Sequence, residues 1–415
     1  MSVPSTTAAA QPRNRRYLIV LATATVLAAG ATLAPAANAA DKWGPGYQIP
    51  DSAGHANASH IGAYGPPGAA IPGLNHLAYC ADPDLVGPAG SGGYTAPETT
   101  SAWTSKITGT AVPAANVAQA AYILSVYGQT TSDTQAAAVD AATYTELNPG
   151  TTYALPSGAR ALQRLSYPVV PAIAKTLAGQ YLANAAEYAG PYTVEIHPAA
   201  GAKTGEKSTV SLDVLSSTGH RLPDAAVSLT VGSGTPQILT TGDDGTATTT
   251  VTPTATGSLD LTATAATLPG VTLNAALPVN SGAQRMLLAG GTSSATAHTQ
   301  RTVTAPKGSI KIVKSAADTG KPMAGVRFEV RDSTGKTVAT GTTNAAGIWE
   351  ANDLAPGIYT IHELKAVNGY ELAPDQLATV ADGTVTVAVR DVRIPTQPTP
   401  APRPVTITTL PKTGA

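Results

Sequence analysis

The chain has 415 residues, of which 12% are charged and 5% aromatic, with 40 glycines, 33 prolines and one cysteine. This length exceeds one ordinary domain and predicts roughly two to four modules, and so Gly/Pro-rich a composition suits thin β-modules and linkers rather than a large enzyme core. The net charge is −1 and no basic patch is visible, which argues against a nucleic-acid partner.

The N-terminus reads as an export signal. Arg13, Arg15 and Arg16 precede an apolar stretch from Tyr17 to Leu33, and Ala37-Asn38-Ala39 fits an A-x-A cleavage pattern before polar Asp41-Lys42. That order predicts a secretory signal over 1–39, cut between Ala39 and Ala40. In an exported protein the lone Cys80 has no intrachain partner, so it is inert, paired with another chain, or reactive.

Residues 40–72 carry the breakers Gly44-Pro45-Gly46 and Pro66-Pro67-Gly68 and read as an extended leader. From 73 to 190 the texture changes. Leu74 to Cys80 is a short apolar run with the character of a buried strand. Val117, Ala120, Ala121, Leu124 and Tyr127 fall at helical spacing between Pro113 and Gly128. A second helix runs from Thr134 to Leu147 behind the N-cap candidates Ser132-Asp133 and stops at Asn148-Pro149-Gly150. A third is expected from Pro168 to about Tyr188. The domain reads as a mixed, mainly helical α+β unit.

From 191 to 282 the apolar period switches to two. Strands are expected at Tyr192–Ile196, Ser208–Val214, Ala226–Val231, Ala247–Val251 and Leu259–Ala265, with Gly/Asp-rich turns between them, which indicates a β-sandwich. Residues 283–306 read as a linker, although Met286-Leu287-Leu288 has the composition of a final strand. A second all-β sandwich is expected over 307–393, with strands at Ser309–Val313, Gly325–Arg331, Thr337–Thr340, Ile358–Leu364 and Thr384–Val392. The stretch 394–415 opens with dense Pro and Thr, as in a semi-rigid stalk.

No metal or cofactor is expected. His76 and Cys80 have the spacing of a ligand pair, but no second pair follows, and the seven histidines are scattered. No G-x-S-x-G, H-E-x-x-H or P-loop pattern occurs, so the chain does not read as an enzyme.

Three stretches resemble one family of proteins. Gly308-Ser-Ile-Lys-Ile-Val-Lys314, Asp318-Thr-Gly-Lys-Pro322, Gly325-Val-Arg-Phe-Glu329, Asn344-Ala-Ala-Gly347, Leu354-Ala-Pro-Gly-Ile-Tyr359, His362-Glu363 and Asn368-Gly369-Tyr370 resemble the SpaA/Cna-B prealbumin-like modules of Gram-positive pilins and adhesins. Leu410-Pro411-Lys412-Thr413-Gly414 looks like an LPXTG sortase motif. No apolar stretch follows Gly414, so the sequence is either cut short there or released. Tyr79-Cys80 and Thr134-Gln135-Ala136-Ala137 are similar to the thioester (TQxA) domain of Gram-positive surface proteins. The 191–282 texture resembles bacterial Ig-like domains.

The resemblance implies two covalent links. Cys80 would attack the Gln135 amide and expel ammonia, leaving a thioester that captures an amine; Gln119 is a rival acyl donor. The opposing reading is a plain buried cysteine and a surface glutamine. In the last module the matching positions imply an isopeptide between Lys314 and Asp391, with Glu363 as catalytic proton shuttle and Lys311 as the alternative amine. Burial favours the neutral amine that attacks and the protonated acid that donates. The opposing reading is a surface lysine with Glu363 in a solvated pair.

The whole reads as an exported cell-wall adhesin. A stalk of β-modules presents a thioester head to host or matrix proteins or other amine-bearing ligands, with sortase and peptidoglycan as anchoring partners. The alternatives are a pilin-like wall component with an inert Cys80, or a secreted carbohydrate- or matrix-binding protein.

Overall fold

The computed structural model describes residues 43–56, 58–65, 71–72 and 74–396. The expected signal segment with its Ala39–Ala40 boundary, the stretch from 397 onward and the motif Leu410–Gly414 lie outside the described residues. The chain divides into two compact units, the second consisting mainly of residues from Val303 onward. Among the described residues no helix is long and apolar enough to cross a membrane.

The first unit begins with a hairpin, β1 (Gly46–Ile49) and β2 (Ser59–Gly62), in the segment expected to be an extended leader. It is not a leader. Ile49 and Ile61 are fully buried, each contributing about 1.5–3 kcal/mol of apolar burial. Gly46 and Gly62 face each other across the pair at φ +140° and +147°, and a Cβ on Gly62 would meet the Pro45 carbonyl oxygen at 2.4 Å. The strands β3 (Ala78–Cys80) and β4 (Glu98–Thr100) follow, then four helices: α1 (Ala114–Tyr127), α2 (Asp133–Leu147), α3 (Ala159–Leu165) and α4 (Ile173–Tyr188). The sequence reading lacks α3 and starts α4 five residues early.

Helix α2 is the centre of this head. The Ser132 hydroxyl caps it, accepting from the Gln135 amide nitrogen at 3.3 Å. Ala136, Ala137, Ala138, Val139, Ala141, Ala142 and Leu147 are all buried. A helix covered on every side belongs in a core, and its alanines let α1, α4 and the β1–β2 hairpin approach closely. The hairpin is pinned to its first turn: the Asp133 carboxylate accepts from the Gly46 amide at 2.9 Å, and Tyr47 and Thr134 share a hydroxyl hydrogen bond of 2.8 Å.

The sandwich is made of β5 (Thr193–Pro198), β6 (Ser208–Leu215), β7 (Ala226–Val231), β8 (Gln237–Thr240), β9 (Thr246–Val251) and β10 (Gly257–Pro269). The chain then goes back to the head. Strands β11 (Leu273–Ala276) and β12 (Met286–Leu288) complete a four-stranded antiparallel sheet in the order β3-β12-β11-β4, before β13 (Thr292–Val303) rejoins the sandwich. The sandwich is therefore an insertion in the head, with sheets β5-β6-β9 and β13-β10-β7-β8 closing over Val194, Leu212, Val227, Leu229 and Leu261. The passage from head to sandwich falls near 190 as expected, whereas the expected boundary at 282 and the linker 283–306 are corrected: the head resumes at β11, and 286–303 form β12 and β13.

The second unit holds β14 (Gly308–Ala316), β15 (Arg327–Arg331), β16 (Thr337–Thr342), β17 (Ile348–Leu354), β18 (Gly357–Lys365), β19 (Gln376–Val380) and β20 (Gly383–Asp391). Its sheets are β17-β14-β20 and β16-β15-β18-β19, closing over Ile310, Ile312, Phe328, Val330 and Ile361. The first and last strands, β14 and β20, are parallel neighbours from Gly308↔Gly383 to Ala316↔Asp391.

Candidate functional site

In the head, Cys80 is 4% exposed and paired with Met286 across β3–β12. Its thiol donates to the Met286 sulfur at 3.6 Å, and the Tyr64 hydroxyl is near enough to act on its ionisation. Burial, with the charge of Asp140 adding to it, pushes the thiol's ionisation well above the usual range, so it rests as a neutral thiol. It lines a cavity of about 300 Å³ with His60, Tyr64, Tyr144, Arg164 and Gln284. Burial lowers His60 to about 4 and keeps its ring neutral. Asp140, buried against Arg164 at 2.8 Å, is raised to about 6 by burial, against the pull of that guanidinium.

The structure does not bring Cys80 and Gln135 together. Gln135 stands in the first turn of α2 and gives its side-chain nitrogen to the Tyr127 carbonyl at 2.9 Å. Cys80 clusters with Tyr144, nine residues further along α2, about 13 Å at 1.5 Å per residue. The rival Gln119 faces Glu146, its side-chain amide 2.9 and 3.2 Å from the two carboxyl oxygens.

The amide that lines the same cavity as the thiol is that of Gln284. Met286 is the cross-strand partner of Cys80, so Gln284 takes the diagonal position on the same face, within reach of a long side chain. The strand ends are clamped there: Arg285 Nε donates to Asp82 Oδ2 at 2.7 Å, and its guanidinium lies 3.7 Å from the Trp103 ring centre. Gln284 is held at four atoms. Its Nε2 donates to the Leu85 carbonyl at 3.2 Å and its backbone nitrogen to Val86 at 2.9 Å. Its backbone carbonyl accepts from Tyr94 at 2.9 Å and its Oε1 from Tyr144 at 3.1 Å. The available signal was the apolar run Met286–Leu288, two residues after Gln284 and similar in texture to the run that ends at Cys80. Nothing in the sequence says that these two runs pair across an inserted domain.

The second cluster lies in the second unit. Residues alternate along β14, so Ile310, Ile312 and Lys314 point inward and Lys311 does not. Lys314 Nζ contacts Glu363 Oε2 at 2.6 Å and also Asp391 Oδ1, while Ala373 donates its backbone N–H to Glu363 at 3.0 Å. All three side chains are almost fully buried, and Phe328 lies below, its ring centre 5.5 Å from Nζ. Burial raises the Glu363 carboxyl above its usual range. Glu363 Oε1 and Asp391 Oδ2 have no hydrogen-bond partner. One amine and two carboxyl groups in a dry core are costly as ions.

Residues 308–393 match the family described as SpaA, prealbumin-like fold domain. This unit is a SpaA-type domain. No curated protein matches the chain. Similar solved structures include the Bacillus anthracis TIE protein at 15% identity and a TM-score of 0.43, the match covering 78% of this chain and 60% of that one. The minor pilin GBS52 of Streptococcus agalactiae is 17% identical with a TM-score of 0.22, over 51% of this chain and 99% of its own. The major pilin BcpA of Bacillus cereus is 14% identical with a TM-score of 0.23, over 49% and 71%. The SpaA-type domain thus carries Lys314, Glu363 and Asp391 at its centre, the three residues expected from sequence.

A third group, Glu195, His197 and Asp213, lies on β5 and β6 of the sandwich. Asp213 is held there by Arg221 at 2.9 Å and by the Thr246 hydroxyl at 2.9 Å, an ion-pair network in its own right.

Proposed function

We propose that the chain is an exported, surface-displayed protein whose head carries an internal thioester between Cys80 and Gln284. The head captures amine-bearing ligands covalently, and the SpaA-type domain, which follows it in the chain, is part of the stalk. The observation that carries this reading is the sharing of one half-open cavity by the only thiol of the chain, itself buried, and a hydrogen-bonded primary amide. Thiol plus amide gives thioester plus ammonia; thioester plus amine gives an amide on Gln284 and returns the thiol. The hydrogen bonds that hold Gln284 keep the acyl group in place until an amine enters. The stalk domain supports the reading with its own chemistry: Lys314 amine plus Asp391 carboxyl gives an amide and water, Glu363 moving the protons.

The test is intact-mass spectrometry of the denatured chain. A mass short of one ammonia and one water, with Cys80 blind to alkylation until methylamine is added, is the expected result. A native Cys80 that alkylates at once with no ammonia lost overturns the capture function. A second reading, a pilin-like wall component with an inert thiol, is favoured by the hydrogen bond between Cys80 and Met286 sulfur and by the self-sufficiency of the Lys314 cluster. It predicts the water loss alone.

A further inference from the structure

Two buried features of the head have no part in the chemistry so far: the Asp140–Arg164 ion pair and the Tyr144 hydroxyl. Arg164 is 4% exposed and Asp140 1%. A pair this deep adds little stability over apolar residues of the same size, so what it touches is informative. Arg164 Nη2 donates to the His60 carbonyl at 2.9 Å, and its guanidinium carbon lies 4.9 Å from the centre of the Tyr144 ring. Tyr144 in turn donates its hydroxyl to Gln284 Oε1 at 3.1 Å. Because Gln284 Nε2 is committed to the Leu85 carbonyl on the other side, the amide cannot turn over, and its oxygen stays on Tyr144.

We propose that Tyr144 is the oxyanion donor of the thioester chemistry, and that Arg164, fixed by Asp140, is the residue that positions and polarises it. The assignment rests on the Cys80–Gln284 reading above. In thioester formation the sulfur adds to the Gln284 side-chain carbon and negative charge moves onto Oε1. The thiol proton passes to the amide nitrogen, the C–N bond breaks, ammonia leaves and the carbonyl re-forms. In capture, an amine nitrogen adds at the same carbon and charge returns to the same oxygen. The C–S bond then breaks, and the sulfur takes up a proton released by the amine. Both steps load the one atom that Tyr144 contacts, where a preset donor is worth more in the transition state than in the ground state. The Arg164 cation against the ring draws on its π-density, which strengthens the O–H as a donor. Burial holds the phenol far above its usual ionisation range, so it stays neutral and keeps its proton to donate.

Tyr144→Phe, made in the full chain, removes one oxygen. The expected result is a folded head in which ammonia loss is incomplete and the thioester that does form reacts with methylamine about 10²-fold more slowly than wild type. Replacing Tyr144 by 3-fluorotyrosine keeps ring and hydroxyl and makes the donor stronger, so methylamine capture becomes faster. Full ammonia loss in Tyr144→Phe with a methylamine rate within about threefold of wild type overturns the assignment while leaving the thioester intact. An unchanged or slower rate in the fluorinated chain also counts against it. Retention of ammonia by the wild type overturns the thioester reading itself, and the role of Tyr144 with it.

Discussion

Glu363→Gln isolates the chemistry of the SpaA-type domain from its packing. The substitution preserves side-chain volume and leaves an amide oxygen to accept from Lys314 and Ala373, which both contact Glu363 Oε2 now. What it removes is the group that can take up and return a proton, so Lys314 and Asp391 stay unjoined. The denatured chain is then one water heavier than wild type, after allowance for the substitution. The missing link would have closed a loop across a separation of 77 residues. By unfolded-chain entropy that link is worth about 4–5 kcal/mol. In a domain of this size each kcal/mol moves the midpoint by about 4–8 °C, so the domain's transition in scanning calorimetry of the full chain falls by roughly 20–35 °C. The leftover buried ion pair offsets little of this, because its desolvation cost is of the same order as its attraction. A Glu363→Gln chain that still loses water and melts within about 5 °C of wild type refutes the shuttle role. A wild type of full mass refutes the bond.

Gln284→Ala should leave Cys80 alkylatable in the native protein and its ammonia balance unchanged from sequence, whereas Gln135→Ala should leave the cysteine protected; thiol labelling with intact mass separates the two. Burial lifts Glu146 from 4.5 to about 7, against the Asn116 hydrogen bond. The fold therefore prefers the protonated acid. That contribution is full below pH 4.5 and is lost as pH rises through about 7. The stability difference between wild type and Glu146→Gln should shift by on the order of 3 kcal/mol against wild type from pH 4.5 to 8, measured by urea titration. An invariant difference would refute it. Gly62→Ala should destabilise the head by about 2 kcal/mol or more, since the new Cβ meets backbone at a positive φ; calorimetry of the head transition reads this directly.

What the sequence made legible follows from where its signals are local. Helices α1 and α2 were visible because Pro113, Ser132, Gly128 and Asn148 mark their ends within a few residues of the apolar pattern. The Lys314 cluster was visible through a resemblance that spans its whole domain, while Lys311 stayed an alternative until the burial pattern along β14 turned it away from the core. Strand β13 was hidden because its half-buried positions are small or polar, Ala295 and Ala297 among them, so no apolar alternation marks it. The β1–β2 hairpin was hidden by its own glycines, which look like breakers and instead allow two backbones to meet. The partner of Cys80 was hidden by topology: the pairing of β3 with β12 spans some two hundred residues and an inserted domain. No local pattern encodes such a contact.

The return of β12 to the head sets the mechanical path of any captured ligand. In the proposed capture the ligand would be bonded to Gln284 and Cys80 set free. From Gln284 the covalent line runs through β12 and straight into β13, toward the SpaA-type domain. The helices, the hairpin and strands β5–β10 all precede Gln284 in the chain and stand outside that line. Tension on such a ligand would run along the backbone of β12 and β13, the latter a strand of the sandwich sheet, and not through the packing of α1 to α4. If pulling unfolds those helices, the chain loses the machinery that made the bond and keeps its cargo.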